Sequence, residues 1–383
     1  MVDNTVGSKR CRFHIFPILG AKMNEELKDA RTFLIRGVIF FLIASLPITI
    51  QLFFPIDHFS YRSWEALKFN KLESDRPFYT DKYLEKTEEG DLAYRTEYAI
   101  KKNVTWQTDS YGFRNFPSDN LQYDVVIIGD SNIVGSGVSQ EQTIVSVLGQ
   151  KTSLRVYSFS SNSVNYDLNK LMSQKRFIDH PPKLVIVGSI ERHIHELPPI
   201  DWNITAQEKS YTPAWVEKFI EEIDGLTKVS IVRYYIALAE ESIMPRKLIF
   251  NNLTRMVFNK LALDSQKNNI NCFDRSEQIL KDYQGYLSKK GINFIFMPIP
   301  DKETIFYSDL PHPYEYFRKE PPFLKVLISS LKQDNIPVVD TLSAFKTNKD
   351  KVPFLLDDTH WSPSGINITA DLLVKEIQSL GLL

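Results

Sequence analysis

The stretch YDVVIIGDSNIVGSG, residues 123–137, sets four β-branched residues in a row and then turns abruptly polar and glycine-rich. A continuous β-branched run of this kind reads as a strand buried on both faces, as in a parallel sheet. The turn that ends it, Gly129-Asp130-Ser131-Asn132, puts a serine at the strand's carboxyl end, where parallel α/β sheets bind their ligands. A serine so placed projects its hydroxyl at the sheet edge, and its own N–H can face a developing oxyanion. Taken alone, the stretch reads equally as a strand followed by a capped Asp-Ser turn.

Working outward, four more strand-like runs follow: LRVYSF (154–159), KLVIVGSI (183–190), INFIFMPIP (292–300) and IPVVDT (336–341). Helix-length segments separate them, at 141–150, 166–178, 277–289 and 322–331, with a closing helix at 366–380. This alternation predicts an α/β domain built on a parallel sheet. Between the third and fourth strands, residues from about 200 to 275 carry apolar side chains at helical spacing and predict an inserted helical subdomain. Its aromatics read first as core, and secondly as the lining of a substrate groove or a partner contact.

The chain has 383 residues, 43% hydrophobic, with 46 Lys and Arg against 47 Asp and Glu. That balance, without a basic stripe in the main body, sets nucleic-acid binding aside. Upstream, residues 33–54, FLIRGVIFFLIASLPITIQLFF, hold a single charge, Arg36. The run is long enough to span a bilayer. A buried core helix would show a polar face, and a cleaved signal peptide would have a shorter apolar stretch and a small-x-small site after it. Lys9, Arg10, Arg12, Lys22, Lys28, Arg31 and Arg36 stand before the run or at its start, and Asp57 follows it, so the N-terminus is expected inside and the rest outside. The expected organisation is a cytoplasmic tail (1–32), a transmembrane signal anchor (33–54), a stalk and lead-in (55–117) and an α/β domain (118–383). Cys11 and Cys272, the two cysteines, then lie on opposite sides of the membrane and cannot pair.

A second constellation lies far downstream, in Leu355-Leu356-Asp357-Asp358-Thr359-His360-Trp361-Ser362-Pro363-Ser364-Gly365. Ser362 and Pro363 make a good N-cap and first-turn pair, which places His360 in the loop before the last helix. A nucleophilic serine needs a base, and the base needs a carboxylate to fix its tautomer. An Asp-x-His loop supplies both, although by itself such a loop is as readily a capped turn.

Together the two blocks resemble the SGNH (GDSL-type) hydrolase superfamily, in which GDS follows the first strand and a D-x-x-H or D-x-H block precedes the last helix. The resemblance runs from about Ser110, through SYGFRN, to the C-terminus. It implies a three-layer α/β/α fold and the set Ser131, His360 and Asp358, with Asp357 as the alternative orienting carboxylate. DTHWSPSG is nearer to the membrane-linked polysaccharide O-acetyltransferases than to the esterases. MPIPDKETIFYSDLP (297–311) is similar to a loop of the alginate-type acetyltransferases, although those carry the Asp-His block before the serine.

Two further blocks depart from that pattern. Ser160, in SFSSNSVN, stands where the second block places a glycine, with Asn162 nearby. Gly188-Ser189-Ile190-Glu191 lacks the asparagine donor of the third block, so Asn162, Asn165 or Arg192 stand as substitutes. Glu191-Arg192 reads first as a structural ion pair and secondly as a contact to an anionic sugar. His193 and His195 read as loop histidines, since no carboxylate or cysteine cluster accompanies them. The resemblance implies no cofactor and no metal. It implies an acyl donor, a glycan acceptor, a membrane-bound acyl-transfer protein as partner, and a place at the outer side of a bacterial inner membrane. An esterase and a non-catalytic scaffold are the competing expectations.

Overall fold

The computed structural model describes residues 16–51, 53, 60–69, 76–118, 122–161, 167–206, 213–227, 231–243 and 247–383. The chain divides into two units, Met1–Pro55 and Ile56–Leu383. In the first, Phe16–Gln51 forms one helix that exposes Phe33, Phe40, Phe41, Leu42 and Ile43. Among the described residues no helix is long and apolar enough to cross a membrane. The expected anchor at 33–54 falls partly outside them, at positions 52 and 54.

In the second unit a short helix, Ser63–Leu67, precedes an antiparallel hairpin, β1 (Tyr83–Glu88) and β2 (Lys102–Gln107). A parallel sheet follows, made of β3 (Val125–Gly129), β4 (Val156–Ser160), β5 (Leu184–Ile190) and, later in the chain, Asn293–Ile299. Between β5 and that last strand lies a second hairpin, β6 (Ile249–Asn251) with β7 (Met256–Phe258), so Asn293–Ile299 is β8. The parallel sheet runs β4-β3-β5-β8. Its strands are almost wholly buried, as the β-branched runs require. From β3 the chain turns to one side for β4 and then crosses to the other side for β5. Such a switch point opens a crevice beyond the carboxyl end of β3.

The run at 336–341 makes one parallel rung instead of a strand, with Val338 opposite Phe296. Pro337 has no N–H to give and offers only its carbonyl, to Phe296 N at 2.8 Å. Asp340 then caps the helix Thr341–Thr347 and ends the extension. The closing helix, Pro363–Ser379, is capped as its sequence predicts, Ser362 Oγ accepting from Gly365 N at 3.2 Å.

Two expectations need correction. The insertion contains helices Ala214–Thr227, Ile231–Ile243 and Lys260–Asn271, but its IFNNLTRMVF portion is the β6–β7 hairpin. Asn251 Oδ1 accepts from Leu253 N and Thr254 N, and Arg255 takes a positive φ of 57°; this is turn chemistry that a helix does not accommodate. The second correction concerns the stalk. The described part of 60–118 belongs to the same unit as the sheet, with Arg62 and Arg114 wholly buried. Glu221 and Asp224, from helix Ala214–Thr227, accept from Thr80 N and the Tyr79 hydroxyl.

Candidate active site

Asp130 ends β3 and caps the short helix Ser131–Val134, its Oδ1 accepting from Asn132 N at 2.9 Å. Its Oδ2 accepts from Ile190 N at 3.0 Å, so one carboxylate joins the ends of β3 and β5. The helix stops at Gly135, whose φ of 83° suits glycine. Arg114, the arginine of SYGFRN, secures the turn from below. Its guanidinium donates to Val134 O, Gly135 O, Val138 O and Thr105 O at 3.2, 2.6, 2.8 and 2.8 Å. Asn115 bonds both the N–H and the carbonyl of Ser158, which ties the same motif to β4.

The Asp-His loop meets this turn across 229 residues of sequence. His360 Nε2 lies 2.8 Å from Ser131 Oγ, and His360 Nδ1 lies 2.6 Å from Asp358 Oδ1. With Nδ1–H given to the carboxylate, Nε2 is left as an acceptor for the serine hydroxyl. Asn132 Oδ1 accepts from Trp361 N at 3.2 Å and so joins the two blocks directly. Asp357 turns the other way, accepting from Gly90 N at 2.9 Å and Ile100 N at 2.7 Å. A side chain at Gly90 would meet the Asp357 backbone oxygen at 2.2 Å, so this approach is open only to glycine.

The segment expected as stalk and lead-in supplies much of the surroundings. Asp358 Oδ2 is bonded by Arg62 Nη2 and by Lys102 Nζ, the latter at 3.3 Å. Oδ1 also accepts from His360 N at 3.2 Å. Asp91 Oδ1 and Oδ2 accept from Thr359 N and Oγ1 at 2.9 and 2.7 Å. From the other side, Lys302 Nζ donates to the carbonyls of Leu355, Leu356 and Asp358 at 3.1, 3.2 and 2.6 Å. Val257 N, in β7, donates to Leu356 O at 2.9 Å.

Burial would raise the carboxyl of Asp358, but the charges of Arg62, His360 and Lys102 outweigh it and hold the group well below its ordinary value. Asp91 is raised, by burial and then by the charge of Asp358. Asp91, Asp358 and His360 offer ligand atoms within 4.8 Å of one another. A carboxylate has about four lone-pair sites, and on Asp358 four donors already take them. With two cations at the same carboxylate, the cluster fits a hydrogen-bonded relay better than a metal cage.

The remaining predicted residues are placed differently. Ser160 is wholly buried, its hydroxyl donating to Ile127 O at 3.3 Å. Asn162 and Asn165 lie outside the described residues. Arg192 pairs with Asp301, not with its neighbour Glu191, because Glu191 instead accepts from Asp301 N at 3.1 Å. Burial, and then the charge of Asp301, push Glu191 up to about 8 and Glu303 up to about 7. Lys302 lies in the stretch MPIPDKETIFYSDLP, but nothing in the sequence marked Arg62, Asp91 or Lys102.

A family profile described as the SGNH hydrolase-like domain of acetyltransferase AlgX matches residues 258–382, which contain the Asp-His loop. Over those residues the chain is similar to an SGNH hydrolase-like domain. The structure brings the GDS turn, upstream of the matched residues, onto His360. The match supports acyl transfer or ester hydrolysis as the reaction class. No curated protein matches the chain. Among solved structures, a putative lipolytic G-D-S-L family protein of Desulfitobacterium hafniense is 16% identical, covering 67% of this chain and 99% of its own at a TM-score of 0.32. Protein YxiM of Bacillus subtilis is 9% identical over 74% and 63%, at 0.31. The salicylyl-acyltransferase SsfX3 of a tetracycline biosynthetic pathway is 12% identical over 74% and 67%, at 0.29. At TM-scores this low they say nothing of activity.

Proposed function

We propose that this chain is a membrane-anchored, extracytoplasmic serine O-acyltransferase that acetylates a cell-surface polysaccharide through an acyl-serine. The observation that carries the reading is the hydrogen-bonded chain Ser131–His360–Asp358 at the carboxyl end of β3. Ser131 Oγ attacks the acyl carbonyl while His360 Nε2 takes its proton, and Asp358 stabilises the imidazolium. The tetrahedral intermediate collapses, and the leaving group departs with the proton from His360. A sugar hydroxyl then gives its proton to His360 and attacks the acyl-serine, which releases the ester and restores Ser131. The oxyanion is held by the N–H of Ser131, with a second N–H from Ser160. Arg192, committed to Asp301, is left a structural role.

Transfer is favoured by the acetyltransferase description of the matching family. The anchor rests on the apolar run 33–54 and on the exposed apolar side chains of its helix. An enzyme outside the membrane cannot draw directly on cytoplasmic acetyl-CoA, so a membrane-bound acyl-transfer protein is the proposed donor.

The test uses the full chain in detergent. A fluorophosphonate probe followed by peptide mass spectrometry is expected to give an adduct on Ser131 that Ser131→Ala lacks. No adduct in a folded sample would sink any serine mechanism. A chromogenic acetate ester is then offered with an oligosaccharide acceptor. Acetylated sugar supports the transferase, and acetate released to water alone makes the chain an esterase.

A further inference from the structure

Arg62 and Asp358 are 296 residues apart in sequence, yet they form an ion pair with neither side chain exposed to solvent. Among the described residues, Asp358 is the only hydrogen-bond partner of the Arg62 side chain, and Glu88 adds an ion pair at 3.6 Å. Glu88 is fixed in turn by Ser63 N at 2.7 Å and sits opposite Lys102 in the β1–β2 register. The end of one hairpin therefore delivers Lys102 to Asp358 and braces Arg62 against it. A structural ion pair needs one cation. Here two converge on the oxygen of Asp358 that faces away from His360, and both come from outside the SGNH-like α/β core.

We propose that Arg62 and Lys102 are positioning residues that set the basicity of His360 through Asp358. They hold the carboxylate so that Oδ1 alone meets the imidazole, and their charge offsets the pull of Asp358 on a proton at His360. The other charged groups facing the pair are Asp91 from the β1–β2 loop, Lys302 from the turn after β8, and Asp357 beside them in the loop. Asp91, 3.7 Å from Nδ1, works against the two cations, and Lys302 works with them from the carbonyl side of the loop. Without the cations, the charge of Asp358 would act on the imidazole unopposed. The inference rests on the serine reading proposed above.

Fluorophosphonate labelling tests it without knowledge of the substrate. The Ser131 Oγ–P bond forms, the P–F bond breaks, the serine proton goes to His360, and fluoride leaves. The labelling rate therefore rises with pH as His360 becomes neutral, to a plateau. The variant is Lys102→Met in the full chain, because Lys102 is 19% exposed and its loss threatens folding less than that of Arg62. The expected result is a midpoint about one pH unit higher, with the plateau kept within about threefold. Lys102→Arg, which keeps the charge, is expected to restore the wild-type midpoint. A lowered plateau with an unmoved midpoint, or an upward shift that Lys102→Arg keeps, overturns the inference and leaves the serine reading intact. A folded wild-type chain with no adduct at any pH overturns the serine reading, and the inference with it.

Discussion

Asp357 and Asp358 are neighbours in the chain whose carboxylates serve opposite sides of one loop. Asp358 meets His360 Nδ1 at 2.6 Å. Asp357 accepts from Gly90 N and Ile100 N, at the two ends of the β1–β2 connection. One carboxylate is directed at the serine–histidine pair, and the other straps down the loop that carries Asp91. The division explains why the loop can be rigid without using its orienting carboxylate for the purpose.

Replacing each aspartate by asparagine should therefore give different phenotypes. Asp358→Asn presents the imidazole with an amide that permits the wrong tautomer, and turnover is expected to fall about 10⁴-fold. Asp357→Asn keeps the relay and weakens two main-chain hydrogen bonds to a charged acceptor, at a cost of about 1–3 kcal/mol. Kinetics and denaturant unfolding on both variants check the pair. Equal losses of turnover would contradict the assignment of Asp358 as the orienting group.

The sequence made Ser131 and the Asp-His loop legible because their chemistry is local: a strand end, a turn, and a Ser-Pro helix start. The four strands of the parallel sheet were legible for a similar reason, since β-branched runs report burial on both faces. Spacing alone could not separate Asp357 from Asp358, because loop residues one apart differ only in the direction they face. Arg62, Asp91 and Lys102 carried no signal at all. They act on the loop over separations of 256 to 296 residues, and a lone charged residue in an aromatic-rich segment looks like surface. The β6–β7 hairpin was missed because short apolar triplets satisfy a helical period as easily as a strand.

Arg114 should govern the nucleophile turn without touching the chemistry. Lysine keeps its charge but cannot reproduce a fork that reaches four carbonyls and Gln140 Oε1. Arg114→Lys is expected to destabilise the chain by about 3 kcal/mol, by leaving buried carbonyls unpaired. Denaturant unfolding measures this. A loss under about 0.5 kcal/mol, the range of ordinary surface substitutions, would show that water or local movement satisfies those carbonyls.

Lys302 holds the other side of the Asp-His loop, by its main chain instead of its carboxylate. Methionine fills much of the same volume but leaves the carbonyls of Leu355 and Asp358 without this donor. Lys302→Met is expected to cost about 2–4 kcal/mol and to speed amide exchange at Leu355 and Thr359. Unchanged exchange in a folded variant would mean that Arg62, Asp91 and β7 suffice to hold the loop.

The buried acids beside Lys302 predict how stability depends on pH. Glu191 is raised from an ordinary value of 4.5 to about 8, and Glu303 to about 7, by burial and by the charge of Asp301. A carboxyl raised on folding binds its proton more tightly in the native state. Its contribution is complete below about pH 4.5 and is lost as pH rises through the folded value. Asp358 has the opposite sign, because its depressed carboxyl contributes above the ordinary value of 3.8 and loses that contribution only as pH falls through the folded value. Between pH 5 and 8 the Asp358 contribution is therefore constant, and the thermal midpoint of the wild type is expected to fall as pH rises. Glu191→Gln keeps the shape and cannot ionise, so the decline should flatten, with the remainder from Glu303 ending near pH 7. Scanning calorimetry across that window decides it. A wild-type midpoint that is level or climbing from pH 5 to 8 would mean that Glu191 is charged in the folded chain.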